Sequence, residues 1–181
     1  MSSWDKYFYD ICKSVASKSR CLSRQIGAVI VRDKSIISTG YNGPPRGIPH
    51  CDDPSVWEKN SNTMGSGFWM FRGVETSIKI EEDIDLTKCP RQYMGYKSGE
   101  GLNWCFAGHA ERNAIINAAR LGISTYGTSL YCNCGVPCKD CLSEIINAGV
   151  MEIICLHFNF YDVSSKYLIE NSNISLRILK L

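Results

Sequence analysis

Apolar residues near the start of the chain recur at spacings of three and four, which is the pattern of an amphipathic helix. The apolar stripe consists of Trp4, Tyr7, Phe8, Ile11 and Val15. It predicts a helix that ends at about Ala16. Two strand-like runs follow, "IGAVIVRD" and "KSIISTGYNG", and they meet near Asp33 and Lys34. We expect these runs to form an antiparallel hairpin.

Helix-like and strand-like segments alternate in the second half of the chain. The predicted helices run from about His109 to Leu121, from about Cys138 to Ala148 and from Val163 to Glu170. Each is followed by a strand-like run, respectively "TSLYCNC", "MEIICLH" and "ISLRILKL". With the hairpin, this alternation predicts an α/β fold, a three-layer α/β/α sandwich around a mixed five-stranded sheet.

The segment from about 44 to 107 shows no sustained hydrophobic period. Its first part, "GPPRGIPHCDDP", has the composition of turns. We interpret the whole chain, 1–181, as a single domain that carries an irregular insertion here. A long loop inside a compact domain needs something to hold it. Because the insertion contains His50, Cys51, Cys89 and Cys105, we expect a metal ion to do so.

Composition and charge describe an ordinary globular protein. The 181 residues are 44% hydrophobic and 21% charged, with a formal net charge of +2. A protein that binds nucleic-acid backbones would carry a broader basic excess, so nucleic acid is disfavoured as a partner. A small anionic substrate needs only one or two local cations.

The role expected of the ten cysteines depends on the cellular compartment in which the protein is found. No apolar run reaches the roughly 18 residues of a membrane span, and the first residues lack the features of a signal peptide. We therefore expect a cytoplasmic protein without a membrane partner. In that reducing environment, cysteines act as metal ligands, reactive thiols or small core residues.

His109, Cys138 and Cys141 form a candidate zinc-binding set. Catalytic zinc needs three protein ligands and an open position, and one imidazole with two thiolates suits it. Cys138 and Cys141 are three residues apart at a predicted helix start, so both thiols fall on one side of the first turn. The helix dipole there favours thiolate.

Glu111 follows His109 by two residues, which points its carboxylate to another position on the first turn. We expect it to carry protons from a water that the metal acidifies to the ring nitrogen and the leaving amine. His-x-Glu with Pro-Cys-x-x-Cys downstream is the signature of zinc deaminases. The alternatives are a capping pair at the first helix and a redox dithiol or structural half-site at the second.

These motifs resemble the cytidine and deoxycytidylate deaminase family, most closely its deoxycytidylate branch. The resemblance rests on "HAERNAI" and "PCKDC", on "QIGAVIV" and "IISTGYNGPPRG", and on "IINAGV" and Tyr161-Asp162. It implies hydrolytic conversion of dCMP to dUMP and ammonia, which supplies thymidylate synthesis. Other free substrates remain alternatives, namely dCTP, deoxycytidine or a modified nucleotide, as do nucleic-acid editing and a non-catalytic zinc scaffold.

The resemblance also implies substrate contacts. Asn42 would meet the sugar and Tyr161 the pyrimidine base, while Arg24 with Ser23 would bind the phosphate. Backbone N–H groups at the two helix starts, including that of Ala110, would bind the base carbonyl. The alternatives are a tight Asn-Gly turn, core packing of the tyrosine and a solvated arginine.

A second, structural zinc is common in the resembled family, and its ligands here would be Cys21, Cys51, Cys89 and Cys105. Unlinked thiols are the alternative. The resemblance further implies a homo-oligomer, often a hexamer, which dCTP activates and dTTP inhibits with the help of magnesium. The connection "CNCGV" is one residue longer than expected, so Asn133 and Cys134 have no assigned role.

Overall fold

The computed structural model describes residues 3–60, 68–79, 83–97 and 99–180. Within these ranges, the chain divides into two compact units. The first contains residues up to 19, 25–43 and 108–181, and the second contains 20–24 and 44–107. Parts of the predicted insertion lie outside the described residues, and the single-domain interpretation stays a prediction. No helix in the described ranges has the length and apolar character needed to cross a membrane.

The first unit contains four helices and five strands in its described residues. In chain order they are α1 (Trp4–Ala16), β1 (Gly27–Arg32), β2 (Ser35–Tyr41), α3 (Ala110–Arg120), β6 (Ser129–Cys132), α4 (Lys139–Asn147), β7 (Glu152–Cys155), α5 (Val163–Glu170) and β8 (Ser175–Ile178). The second unit contributes β3 (Trp57–Asn60), β4 (Phe68–Phe71), β5 (Val74–Lys79) and α2 (Pro90–Tyr93).

The sheet of the first unit has the strand order β2-β1-β6-β7-β8. β1 is antiparallel to β2 and β6, whereas β6, β7 and β8 run parallel to one another. Asp33 and Lys34 join β1 to β2 with φ values of 48° and 61°, as a tight hairpin turn requires. The mixed five-stranded sheet predicted from the sequence is confirmed.

Strand β1 is buried on both faces because helices cover both sides of the sheet. Val29 and Val31 pack with Phe8 of α1 in one apolar cluster. Ala28 and Ile30, which point the opposite way, pack in a second cluster with residues of α3 and α4. The three-layer α/β/α arrangement is therefore confirmed.

Two glycines allow helices to approach the sheet closely. A Cβ atom on Gly27 would lie 2.1 Å from the carbonyl oxygen of Cys12 in α1. One on Gly40 of β2 would lie 2.2 Å from the backbone nitrogen of Ala114 in α3. The Ser38 hydroxyl donates to the Ala114 carbonyl at 2.7 Å. The Gly27 contact brings α1 against the sheet, and the Gly40 and Ser38 contacts fix α3, which carries part of the candidate site.

Asp5 connects α1 to the last strand of the sheet. Its carboxylate is buried and accepts a hydrogen bond from Nη2 of Arg177 at 3.0 Å. The Tyr131 hydroxyl and the backbone nitrogen of Lys180 also donate to it, at 3.2 and 3.0 Å. These hydrogen bonds compensate the carboxylate for the water that it loses on burial.

The second unit contains a three-stranded antiparallel sheet in the order β3-β4-β5. Val56, Trp57, Phe71 and Ile78 form its buried apolar cluster. The hydrophobic pattern predicted none of these strands. One reason is that Thr76, a polar residue, occupies the inner face of β5, where its hydroxyl donates to the Trp69 carbonyl at 2.7 Å.

Candidate metal centre and active site

The candidate zinc ligands lie at the starts of two helices. His109 is the N-cap residue of α3 and Cys138 is the N-cap residue of α4, both with extended backbone. Neither side chain makes a capping hydrogen bond. The capping alternative for His109 therefore has no support in the structure.

The three ligand atoms converge. Nδ1 of His109 is 3.5 Å from Sγ of Cys138 and 3.3 Å from Sγ of Cys141. A tetrahedral zinc, with Zn–N of about 2.1 Å and Zn–S of about 2.3 Å, places its ligand atoms about 3.5 Å apart. The donor set fits zinc in both chemistry and spacing, and a single redox dithiol would not require the imidazole.

The charges of these side chains favour a cation between them. A hydrogen bond from the Cys141 thiol, followed by the interaction with His109, lowers the pKa of Cys138 to about 4. The hydrogen bond between the Cys141 and Cys138 thiols, followed by burial, raises the pKa of Cys141. The Cys138 thiolate in turn raises the pKa of His109. A metal ion would replace the protons that the three groups share.

Glu111 lies on the first turn of α3 and is 4% exposed. Burial raises the pKa of its carboxyl group. The Cys134 thiol lies 3.8 Å from Oε1 of Glu111. A buried carboxyl group with a raised pKa beside these three side chains is a candidate to take up and release protons.

Polar contacts hold the two ligand-bearing helices together. The Arg112 guanidinium of α3 pairs with the Glu144 carboxylate of α4 through Nη2 at 2.8 Å and Nε at 3.0 Å. Asp162, which caps α5, also accepts from the backbone nitrogen of Lys139 at 3.3 Å. This second contact fixes the peptide that follows Cys138.

Three predicted substrate residues, Asn42, Ala110 and Tyr161, lie in the first unit. Oδ1 of Asn42 accepts from the backbone nitrogen of Ile26 at 2.8 Å, so the amide oxygen supports the backbone before β1. Tyr161 is 46% exposed, which excludes core packing. It directly precedes Asp162, whose carboxylate accepts from the backbone nitrogen of Lys139, the first residue of α4. Ala110, also predicted, is fully buried at the start of α3.

Ser23 and Arg24 belong to the second unit, where Arg24 is exposed and Ser23 half-buried. Their predicted contact with phosphate stays a prediction.

The four cysteines predicted to bind a second zinc also belong to the second unit. Burial raises the pKa of Cys51 to about 12, with further contributions from the thiolate charges of Cys105, Cys89 and Cys21. The other three cysteines are therefore close enough to Cys51 for their charges to act on it. The four thiols are spaced more widely than the first set, which is the one group of three or more such ligands within 4.8 Å among the described residues.

Sequence reasoning assigned no role to Asn133 and Cys134. Asn133 binds Gly27 in both directions, because Oδ1 accepts from the Gly27 nitrogen at 2.8 Å and its own nitrogen donates to the Gly27 oxygen at 3.3 Å. The sequence signal for Asn133 was the connection "CNCGV", which is one residue longer than the resemblance led us to expect.

Comparison with known proteins agrees with this geometry. The profile of the cytidine and deoxycytidylate deaminase zinc-binding region matches residues 2–157. A deoxycytidylate deaminase of Saccharomyces cerevisiae is 31% identical over 175 residues, which is 97% of this chain and 44% of that protein. One from Enterobacteria phage T2 is 33% identical over 145 residues, 77% of this chain and 72% of that protein.

The fold is also found in solved structures. The dCMP deaminase of cyanophage S-TIM5, in complex with dCMP and dUMP, superimposes with a TM-score of 0.59 at 21% identity, covering 96% of this chain and 94% of that one. This chain spans 44% of the length of the Saccharomyces cerevisiae and Schizosaccharomyces pombe deoxycytidylate deaminases. From the profile match and the phage relative, the chain belongs to the cytidine and deoxycytidylate deaminase family.

Proposed function

We propose that this protein is a zinc-dependent hydrolase that converts dCMP to dUMP and ammonia. The observation that carries the proposal is the convergence of His109, Cys138 and Cys141 beside the buried carboxyl group of Glu111. A structural zinc site has no need of a buried proton carrier. The names of the yeast and phage relatives support dCMP as the substrate.

His109, Cys138 and Cys141 would hold the zinc. When bound, the ion would acidify water and so supply a nucleophile near neutral pH. Glu111 would take a proton released from water and deliver it to the ring nitrogen, and would then carry a second proton, from the hydroxyl group added to the ring, to the leaving amine. Backbone N–H groups at the starts of α3 and α4, including that of Ala110, would bind the base carbonyl, since these groups have no partner within their helices.

The substrate contacts belong to the same proposal. Tyr161 would lie against the base, Arg24 and Ser23 would bind the phosphate, and Asn42 would address the sugar. Oδ1 of Asn42 accepts from the backbone nitrogen of Ile26. We therefore assign the side-chain amide nitrogen of Asn42 to the sugar hydroxyl.

A structural zinc held by Cys21, Cys51, Cys89 and Cys105 is proposed for the second unit. Four cysteine thiolates are a common ligand set for structural zinc. The mutual effect of these thiols on Cys51 supports the grouping. The family resemblance supports a homo-oligomer, such as a hexamer, activated by dCTP and inhibited by dTTP with magnesium, in the cytoplasm.

A substrate panel tests the proposal. The zinc-loaded protein should be assayed with dCMP, dCTP, deoxycytidine and a cytosine-containing single-stranded oligonucleotide, each with and without added dCTP. The proposal predicts the highest kcat/KM with dCMP. Deamination of another member of the panel in preference to dCMP would reassign the substrate, and loss of all turnover would favour a zinc scaffold.

A further inference from the structure

Cys134 lies in the connection between β6 and α4, and its thiol is 3.8 Å from Oε1 of Glu111. The thiol donates and the carboxyl oxygen accepts in this contact. We propose that Cys134 is a positioning residue that holds the Glu111 carboxylate in the orientation needed for proton transfer. This inference rests on the proposed deaminase function.

The backbone around Cys134 is fixed on two sides. The Cys134 carbonyl accepts from the backbone nitrogen of Leu156 at 2.8 Å. The preceding residue, Asn133, makes its reciprocal pair of hydrogen bonds with Gly27 of β1. These contacts fix the backbone that carries the thiol.

The next residue fixes the connection on a third side. A Cβ atom on Gly135 would lie 2.2 Å from Cε1 of His157, so the imidazole ring packs directly against the glycine backbone. The connection "CNCGV" is therefore not a loose bulge. Its contacts hold the Cys134 thiol next to the Glu111 carboxyl group.

Glu111 has few other partners to orient it. Among the described residues, its carboxyl group accepts hydrogen bonds from the Cys134 thiol and from its own backbone nitrogen. A proton carrier must stay within hydrogen-bonding reach of the atoms it serves. A neutral donor on one oxygen limits rotation of the carboxylate without adding charge to the site.

Cys134→Ala and Cys134→Ser provide a matched test, because alanine and serine have similar volumes and only serine donates a hydrogen bond. Loss of one hydrogen bond from the transition state should lower kcat for dCMP about 10-fold in Cys134→Ala, with KM changed less than about twofold. Cys134→Ser should retain kcat within about threefold of the wild type. Zinc content should be the same in all three proteins.

Cys155→Ala is the control for loss of a buried thiol, since Cys155 donates to the His157 carbonyl at 3.4 Å rather than to Glu111. The inference is overturned if Cys134→Ala has the kcat of this control, or if Cys134→Ala and Cys134→Ser are equally slow. A parallel rise in KM or loss of zinc would also overturn it. A wild-type protein that does not deaminate dCMP would overturn the proposed function, and this inference with it.

Discussion

Glu111 is a carboxyl group with little access to water, and such groups are rare in proteins unless they are compensated or used. The His-x-Glu and Pro-Cys-x-x-Cys spacings predicted the position of Glu111 relative to the ligands, because both depend on local helix geometry. The contact between the Cys134 thiol and Glu111 could not be predicted in the same way. This 3.8 Å contact arises only when β6 and α3 are brought together.

Asn42 illustrates the same limit. The Asn-Gly pair suggested either a turn or a sugar contact, and no spacing rule shows that Oδ1 accepts from Ile26. Side-chain hydrogen bonds of this kind depend on the register of neighbouring segments.

Arg24→Ala and Asn42→Ala together separate phosphate binding from sugar binding. If Arg24 binds the 5′-phosphate, its removal should lower kcat/KM for dCMP about 10- to 100-fold. Deoxycytidine, which has no phosphate, should be almost unaffected. Asn42→Ala should weaken both substrates, because both carry the sugar hydroxyl. Steady-state kinetics with each substrate measure the two effects.

Arg120→Ala, at the exposed end of α3, is the control for loss of an arginine. If Arg24→Ala lowered kcat/KM for dCMP and deoxycytidine equally, Arg24 would have a structural role. Arg46 would then be the next candidate for the phosphate contact.

Helices and strands were predicted best where the hydrophobic period is sustained. The bounds of α1 and α5 agree with the prediction, and α3 and α4 begin one residue after it because His109 and Cys138 serve as N-caps. The strands of the second unit were missed. They are short, and Thr76 interrupts the apolar inner face of β5 with a satisfied hydroxyl.

Asp5 should make the packing of α1 on the sheet depend on pH. The hydrogen bond from Arg177 is the main reason why the pKa of Asp5 lies below its ordinary value. Stability from a lowered pKa is present above the unfolded pKa of about 3.9 and is lost as the pH falls through the folded pKa. Asp5→Asn should therefore lower the free energy of unfolding by about 1.5–3 kcal/mol at pH 7. The difference from wild type should shrink below about pH 4.

Urea unfolding at both pH values measures this difference. Asp10→Asn is the control, because the carboxylate of Asp10 pairs with Lys6 and Lys13 at the surface and should matter far less. Equal destabilisation by Asp5→Asn at neutral and at acidic pH would show that shape, rather than charge, explains the role of Asp5.

At the scale of the whole molecule, six of the ten cysteines lie in the first unit and four in the second. Those of the second unit are Cys21, Cys51, Cys89 and Cys105. Composition predicted a metalloprotein, and the signature predicted one zinc set. The ligands of the second set could not be fixed from spacing, because a long segment separates them in sequence.

Two zinc ions per chain are therefore expected. Cys89→Ser should reduce the count to one and loosen the second unit while the His109 set stays filled. Metal analysis of the purified proteins, with Cys12→Ser as a control for loss of a buried thiol, measures this. A wild-type protein with one zinc, unchanged in Cys89→Ser, would refute the second site.

The most direct measurement of the central claim is dUMP formation from dCMP by the wild type and by Glu111→Gln, with zinc determined in both. The substitution keeps the size of the side chain and removes only its ability to carry a proton. The account predicts that the wild type deaminates dCMP and that the folded, zinc-loaded variant loses kcat by about 100-fold or more. Near wild-type turnover by that variant would contradict the account.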